Sequence, residues 1–157
     1  MWDGWRRMDA ARWCTWAAFS AALVGAAVAL VAPAGGVNRV QVSALAFAVG
    51  AVGLLADALL WNRGRWLAIG LYAVAALACM YAMIGALSLP LRLTVEGVCP
   101  PTSASCPLGF DRPATSGENA AVYAAAICGA LALLLIFVAV EARYLRRSQV
   151  PIGRPQP

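Results

Sequence analysis

Four stretches of this chain run on with almost no charged residue, parted by short polar or turn-forming segments. A bilayer's hydrocarbon core takes roughly 20 mainly apolar helical residues. The pattern therefore predicts spanning helices over residues 13–32, 40–61, 66–89 and 116–140. The first stops at Pro33-Ala34-Gly35-Gly36, and Asn62-Arg63-Gly64-Arg65 links the second to the third. Pro90 is expected to close the third span, because proline removes a helix hydrogen bond and crowds the preceding turn. The fourth opens with a capping box: Thr115 is placed to accept from the backbone N–H of Glu118, whose carboxylate reaches back. None of these four segments alternates with period two, which argues against a transmembrane barrel. Only Leu91-Arg92-Leu93-Thr94-Val95-Glu96 alternates, as a short exposed strand would.

Composition fits this picture. Of 157 residues, 62% are hydrophobic and 12% charged, against about 25% charged in soluble domains. The fold class is an all-α integral membrane protein, a four-transmembrane-helix bundle. Residues 1–12 form an amphipathic interfacial segment, 13–147 the transmembrane domain with an outer loop at 90–115, and 148–157 a Pro-rich tail. The first span resembles a secretory signal, with Arg6 and Arg7 before an apolar stretch and Ala32-Pro33-Ala34 after it. Its length and the tryptophans at its entrance make it a retained helix.

All the basic residues are arginine; lysine and histidine are absent. The arginines sit in clusters beside the spans and form no basic face, which excludes nucleic acid as a partner. They set the orientation instead, since loops rich in basic residues stay in the cytoplasm. Nine lie in the amino-terminal flank, the second loop and the tail, whereas Arg39, Arg92 and Arg112 lie on the other side. Both termini are thus expected in the cytoplasm. An Ala-, Gly- and Arg-rich chain points to a bacterium, and so to a bacterial cytoplasmic membrane.

Cys99 and Cys106 fall in the outer loop, on the oxidising side, where a disulfide tying the loop is the expected outcome. Two thiolates without histidine are too few for a structural zinc site, and a redox dithiol calls for the tighter Cys-x-x-Cys. Cys14, Cys79 and Cys128 lie in apolar segments and are read as small buried hydrophobes.

Asp57 is the one carboxylate placed within an apolar run. Intramembrane acids often mark ion paths. It stands one turn before Trp61, however, and is read as snorkelling into an ion pair with Arg63 or Arg65. Trp2, Trp5, Trp13, Trp16, Trp61 and Trp66 are expected to form a single interfacial belt at the cytoplasmic side. Small residues four apart recur in every span: Ala21-Gly25-Ala29, Ala46-Gly50, Ala78-Ala82-Ala86 and Ala121-Ala125-Gly129. Such rows allow close helix approach.

No phosphate loop, nucleophile elbow, metal-ligand cluster or haem-ligating residue is present, and without histidine the commonest general base is missing. The expectation is a non-catalytic accessory or structural subunit of a larger membrane complex, respiratory or transporting. It would have no cofactor, and its partners would be other integral membrane subunits and lipid. A small self-assembling transporter or channel centred on Asp57 is the alternative, and a thiol-redox or lipid-modifying membrane enzyme stands third. The cysteine reading gives a measurable outcome. Denatured, unreduced protein should titrate two fewer thiols than its five cysteines, and Cys99→Ser should expose a new thiol at Cys106; a full count of five contradicts the bridge.

Overall fold

A computed structural model describes residues 2–31, 39–62, 64–99, 108 and 110–145, with side chains described for residues 10–144 of these. Its elements are α1 (Trp2–Val31), α2 (Gln41–Leu59), α3 (Arg65–Glu96) and α4 (Ser116–Val140), followed by a π-helical turn at Glu141–Leu145. All four helices are long and apolar enough to cross a bilayer, so the chain is a multi-pass membrane protein. Each packs against the next, and α4 closes the ring on α1. The beginning of α1 and the end of α4 therefore share one end of the bundle, called here the terminus-bearing end. The connection from α3 to α4 lies at the other, the loop end.

A row of inward residues stepping by three and four runs along each helix. In α3 the row is Ala68, Tyr72, Ala75, Cys79, Ala82, Ala86 and Leu89; in α4 it is Glu118, Ala121 with Val122, Ala125, Gly129, Ala132, Ile136 and Ala139. α1 contributes Ala11, Thr15, Ala18, Ala22, Ala26 and Ala29 in the same rhythm. A mean spacing of 3.5 residues is that of left-handed coiled-coil packing. The outward positions are large and apolar, for example Leu23, Leu45, Val52, Leu77 and Leu134. This inverts a soluble bundle's pattern: small residues inside, large ones toward lipid.

One large ring fills the middle. Phe47 of α2 is completely buried, and two glycines make its room. A Cβ on Gly25 of α1 would stand 3.1 Å from the Phe47 ring, and one on Gly129 of α4 would stand 3.0 Å from Met83 Cβ and 3.5 Å from the ring. α2 and α3 meet closely at Gly50, where a Cβ would come within 2.8 Å of Cys79 Sγ.

Two boundaries differ from the sequence reading. α1 is continuous from Trp2, so the stretch read as an amphipathic segment at residues 1–12 is, from Trp2 on, the beginning of the same helix that forms the first span. α3 runs through Pro90 to Glu96, and the expected strand at residues 91–96 is helical. Proline's fixed φ suits a helix, and the residues around it keep the inward rhythm: Leu89 is buried and Leu93 packs against the core. Arg92 and Glu96 then form an exposed pair one turn apart, at 3.7 Å. The helix stops at Gly97, whose φ of +87° is closed to most residues.

The small-residue rows were legible in part. Ala82-Ala86 and Ala121-Ala125-Gly129 face inward, whereas Ala21, Ala46 and Ala78 lie half-buried at the seam edges. The outer-loop segment 100–107 lies outside the described residues, and with it Cys106 and the Cys99–Cys106 bridge; among the described residues Cys14, Cys79 and Cys128 are free thiols.

Replacing Phe47 by Ala should cost about 3–5 kcal/mol of stability, as for other large core rings. Gly129→Leu should cost about 1–3 kcal/mol by overpacking. Gly70→Ala, whose Cβ meets nothing within 4 Å, should leave the melting temperature unchanged or slightly raised. Thermal denaturation in mild detergent checks all three; equal stability of Gly129→Leu and the parent contradicts the close approach.

Candidate functional site

Charged side chains gather in two layers, one at each end of the bundle. At the terminus-bearing end, α2 carries Asp57 inward with its side chain 1% exposed. The inward row of α4, continued one step past Ala139, arrives at Arg143 in the π-helical turn. Arg143 Nη1 donates to both Asp57 carboxylate oxygens at 3.1 and 3.0 Å, and Nη2 donates to the Trp61 carbonyl at 2.9 Å. The guanidinium also lies 4.0 Å from the centre of the Trp61 ring and 5.3 Å from that of Tyr144. Planar delocalised charge suits such stacking.

The same layer holds a hydroxyl pair. Thr15 Oγ1 of α1 and the Tyr72 hydroxyl of α3 are 2.6 Å apart, and Thr15 also donates to the Ala11 carbonyl at 3.0 Å. The Tyr72 hydroxyl faces Asp57 and Arg143 as well. Helices that are not neighbours in the ring are thereby joined: α1 to α3 by hydroxyls, α2 to the end of α4 by charge.

At the loop end, Glu118 is fully buried in the first turn of α4. Its backbone N–H donates to Thr115 Oγ1 at 3.1 Å, and its carboxylate accepts from the Thr115 N–H at 3.0 Å, completing the capping box. Two arginines converge on that carboxylate. Arg112 donates to both oxygens at 3.1 and 2.8 Å, and Arg39, preceding α2, does so at 3.4 and 3.3 Å. Arg39 also pairs with Asp111 at 2.6 Å. Burial on its own would lower the Arg39 pKa, but the hydrogen bonds and charges of Glu118 and Asp111 outweigh it and raise the value.

Asp111 is held in place by backbone pairing. Its N–H donates to the Gly97 carbonyl at 3.2 Å, and its carbonyl accepts from the Cys99 N–H at 3.0 Å. Gly97 is required twice here, for its positive φ and because a Cβ would stand 2.9 Å from the Phe110 ring. The ends of the α3–α4 connection are thus drawn together over the bundle.

Against the sequence reading, Asp57 is indeed engaged in an ion pair, but its partner is Arg143. Arg65 lies 5.5 Å from the Tyr144 ring centre, and Arg63 lies outside the described residues. The reason is directional: Asp57 points along the inward row, so its partner comes from across the bundle and not from the loop that follows α2. Of the tryptophans, Trp13 and Trp66 are strongly exposed. Trp16 packs edge-on to Phe19 at 5.8 Å, and Trp61 lies beneath Arg143. Trp2 and Trp5 belong to α1, with side chains outside the described set. The Arg39–Asp111–Arg112–Glu118 cluster was missed by the sequence reading, although Glu118 had been marked as a cap.

Among the described residues no three His, Cys, Asp or Glu side chains come together to hold a metal ion. No family model matches the chain, and neither a curated protein nor a solved structure does.

Removing one partner of a desolvated ion pair strands the other, at about 3–5 kcal/mol. Asp57→Ala and Arg143→Ala should each destabilise the bundle by that order. The double variant Asp57→Leu/Arg143→Met should recover most of the loss. Denaturant titration of reconstituted protein measures this, and a double variant as unstable as the sum of the singles contradicts the pairing.

Proposed function

We propose that this chain is a non-catalytic accessory subunit of a larger membrane assembly, respiratory or transporting, in a bacterial cytoplasmic membrane. The observation that carries this reading is the commitment of the bundle's buried charges to holding helices together. Asp57 is used by Arg143, Glu118 by Arg39 and Arg112, and the mid-plane between them is filled by Phe47 against two glycines. Such an interior supplies rigidity. In this reading the large apolar residues left facing outward meet lipid and neighbouring subunits.

The arginine distribution supports cytoplasmic termini. The drawn-in ends of the α3–α4 connection suit a Cys99–Cys106 bridge on the opposite side, where oxidation is permitted. The Asp57, Arg143, Tyr72 and Thr15 cluster is the feature that favours a small self-assembling transporter or channel. Against that stands the apolar layer at Phe47, which a polar path would have to cross.

Extraction in mild detergent followed by native electrophoresis distinguishes the two. The accessory reading expects co-migration with unrelated, larger subunits. Migration alone, or only with its own copies, while the associated activity persists contradicts it. Asp57→Asn is expected to lower stability and leave the activity of the assembled complex in place, whereas a transporter built on Asp57 would lose turnover.

A further inference from the structure

α3 is the least buried of the four spans, and its outward face carries a polar atom in an unusual place. Tyr81 is 64% exposed, and among the described residues its hydroxyl makes no hydrogen bond. Its depth follows from the packing. Cys79 is level with Gly50 and Met83 with Gly129 and Phe47, so Tyr81 lies in the central layer of the bundle. At 1.5 Å per residue it is about 13 Å along α3 from Tyr72 in one charged layer and about 16 Å from Arg92 at the other end. A tyrosine ring cannot snorkel over that distance. Tyr123, equally exposed, starts five residues from Glu118 and lies far nearer an interface.

A lone hydroxyl facing hydrocarbon is costly when nothing accepts from it or donates to it, and tyrosine ordinarily sits where its tip is wet. Tyr81 is also centred on a second row of α3. Val74, Leu77, Tyr81, Ile84 and Leu91 are all exposed, and with the half-buried Ser88 they repeat the three-and-four rhythm of the inward row. Half-buried Ala78 and Gly85 flank Tyr81 and leave room for another backbone.

We propose that this face of α3 is the contact between two copies of the chain, arranged about a two-fold axis normal to the membrane, with the two Tyr81 hydroxyls bonded to each other. A phenol both donates and accepts, so a pair satisfies itself. Copies inserted in the same sense bring Tyr81 to the same depth by symmetry, which a self-complementary interface requires. This goes beyond the accessory reading and does not depend on it, since two copies per assembly fit that reading and a dimer without other subunits fits the alternative.

The test is self-association of the full chain, fluorescently tagged at its carboxyl end, in phosphatidylcholine–phosphatidylglycerol vesicles, counted by single-molecule photobleaching across a range of protein densities. The expected result is a monomer–dimer equilibrium that Tyr81→Phe weakens about 3- to 20-fold, the range of intramembrane hydrogen bonds. Tyr123→Phe should leave it unchanged. Tyr81→Phe keeps the ring, and unaltered helicity and melting show that the fold is retained. Monomers at every density, association that Tyr81→Phe does not weaken, or an equal effect of Tyr123→Phe each overturns the proposal. None of these bears on the native-gel result for other subunits.

Discussion

Lipid tails are as apolar as leucine, so burying leucine between helices gains little in a membrane, and cohesion has to come from closeness. That constraint shapes the whole bundle. Alanine, glycine and cysteine line the inward rows, and the backbones approach until a Cβ on Gly50 or Gly129 would collide with the helix alongside. Phe47 is tolerated only because Gly25 and Gly129 stand aside for it. The bulky residues that would form a soluble protein's core are outside, where the solvent accepts them.

Packing of small residues is weakly specific in register, because one alanine resembles the next. The charged layers supply what the rows lack. Arg143 to Asp57 and Arg39 to Glu118 each tie α2, or the turn before it, to the α4 segment across the ring, while Thr15 and Tyr72 tie α1 to α3. A slip of α2 or α4 by one turn would separate a buried charge from its partner, a far larger loss than misplacing an alanine, and a slip of α1 or α3 would break the hydroxyl pair. Cohesion and register therefore rest on different residues.

The number of spans and the side of the bundle on which the ends lie could be read from hydrophobic run length, because the bilayer sets that length. The α4 capping box was equally plain from Thr115 and Glu118. Pro90 misled because a proline signals a local preference, and the core contacts of Leu89 and Leu93 overrode it. The strand expected at residues 91–96 failed for a related reason, since alternation over six residues cannot outweigh a helix already in progress. The partner of Asp57 was sought among sequence neighbours because pairing across the ring leaves no local trace. The signal was nonetheless present: Arg143 falls one step beyond Ala139 on the inward row, as Asp57 falls on that of α2. Asp111, reaching Arg39 through a backbone bridge to Gly97, has no such periodic mark.

The ring shuts only when the last helix meets the first. During synthesis α1, α2 and α3 can insert and pair in order, but the side of α1 meant for α4 stays open, and Asp57 waits in the membrane for a cation encoded more than eighty residues later. A nascent or truncated chain thus displays an orphaned acid that a finished one conceals. The Arg143–Asp57 contact is in this sense a closing bond, available only once the last helix has taken its place against the first.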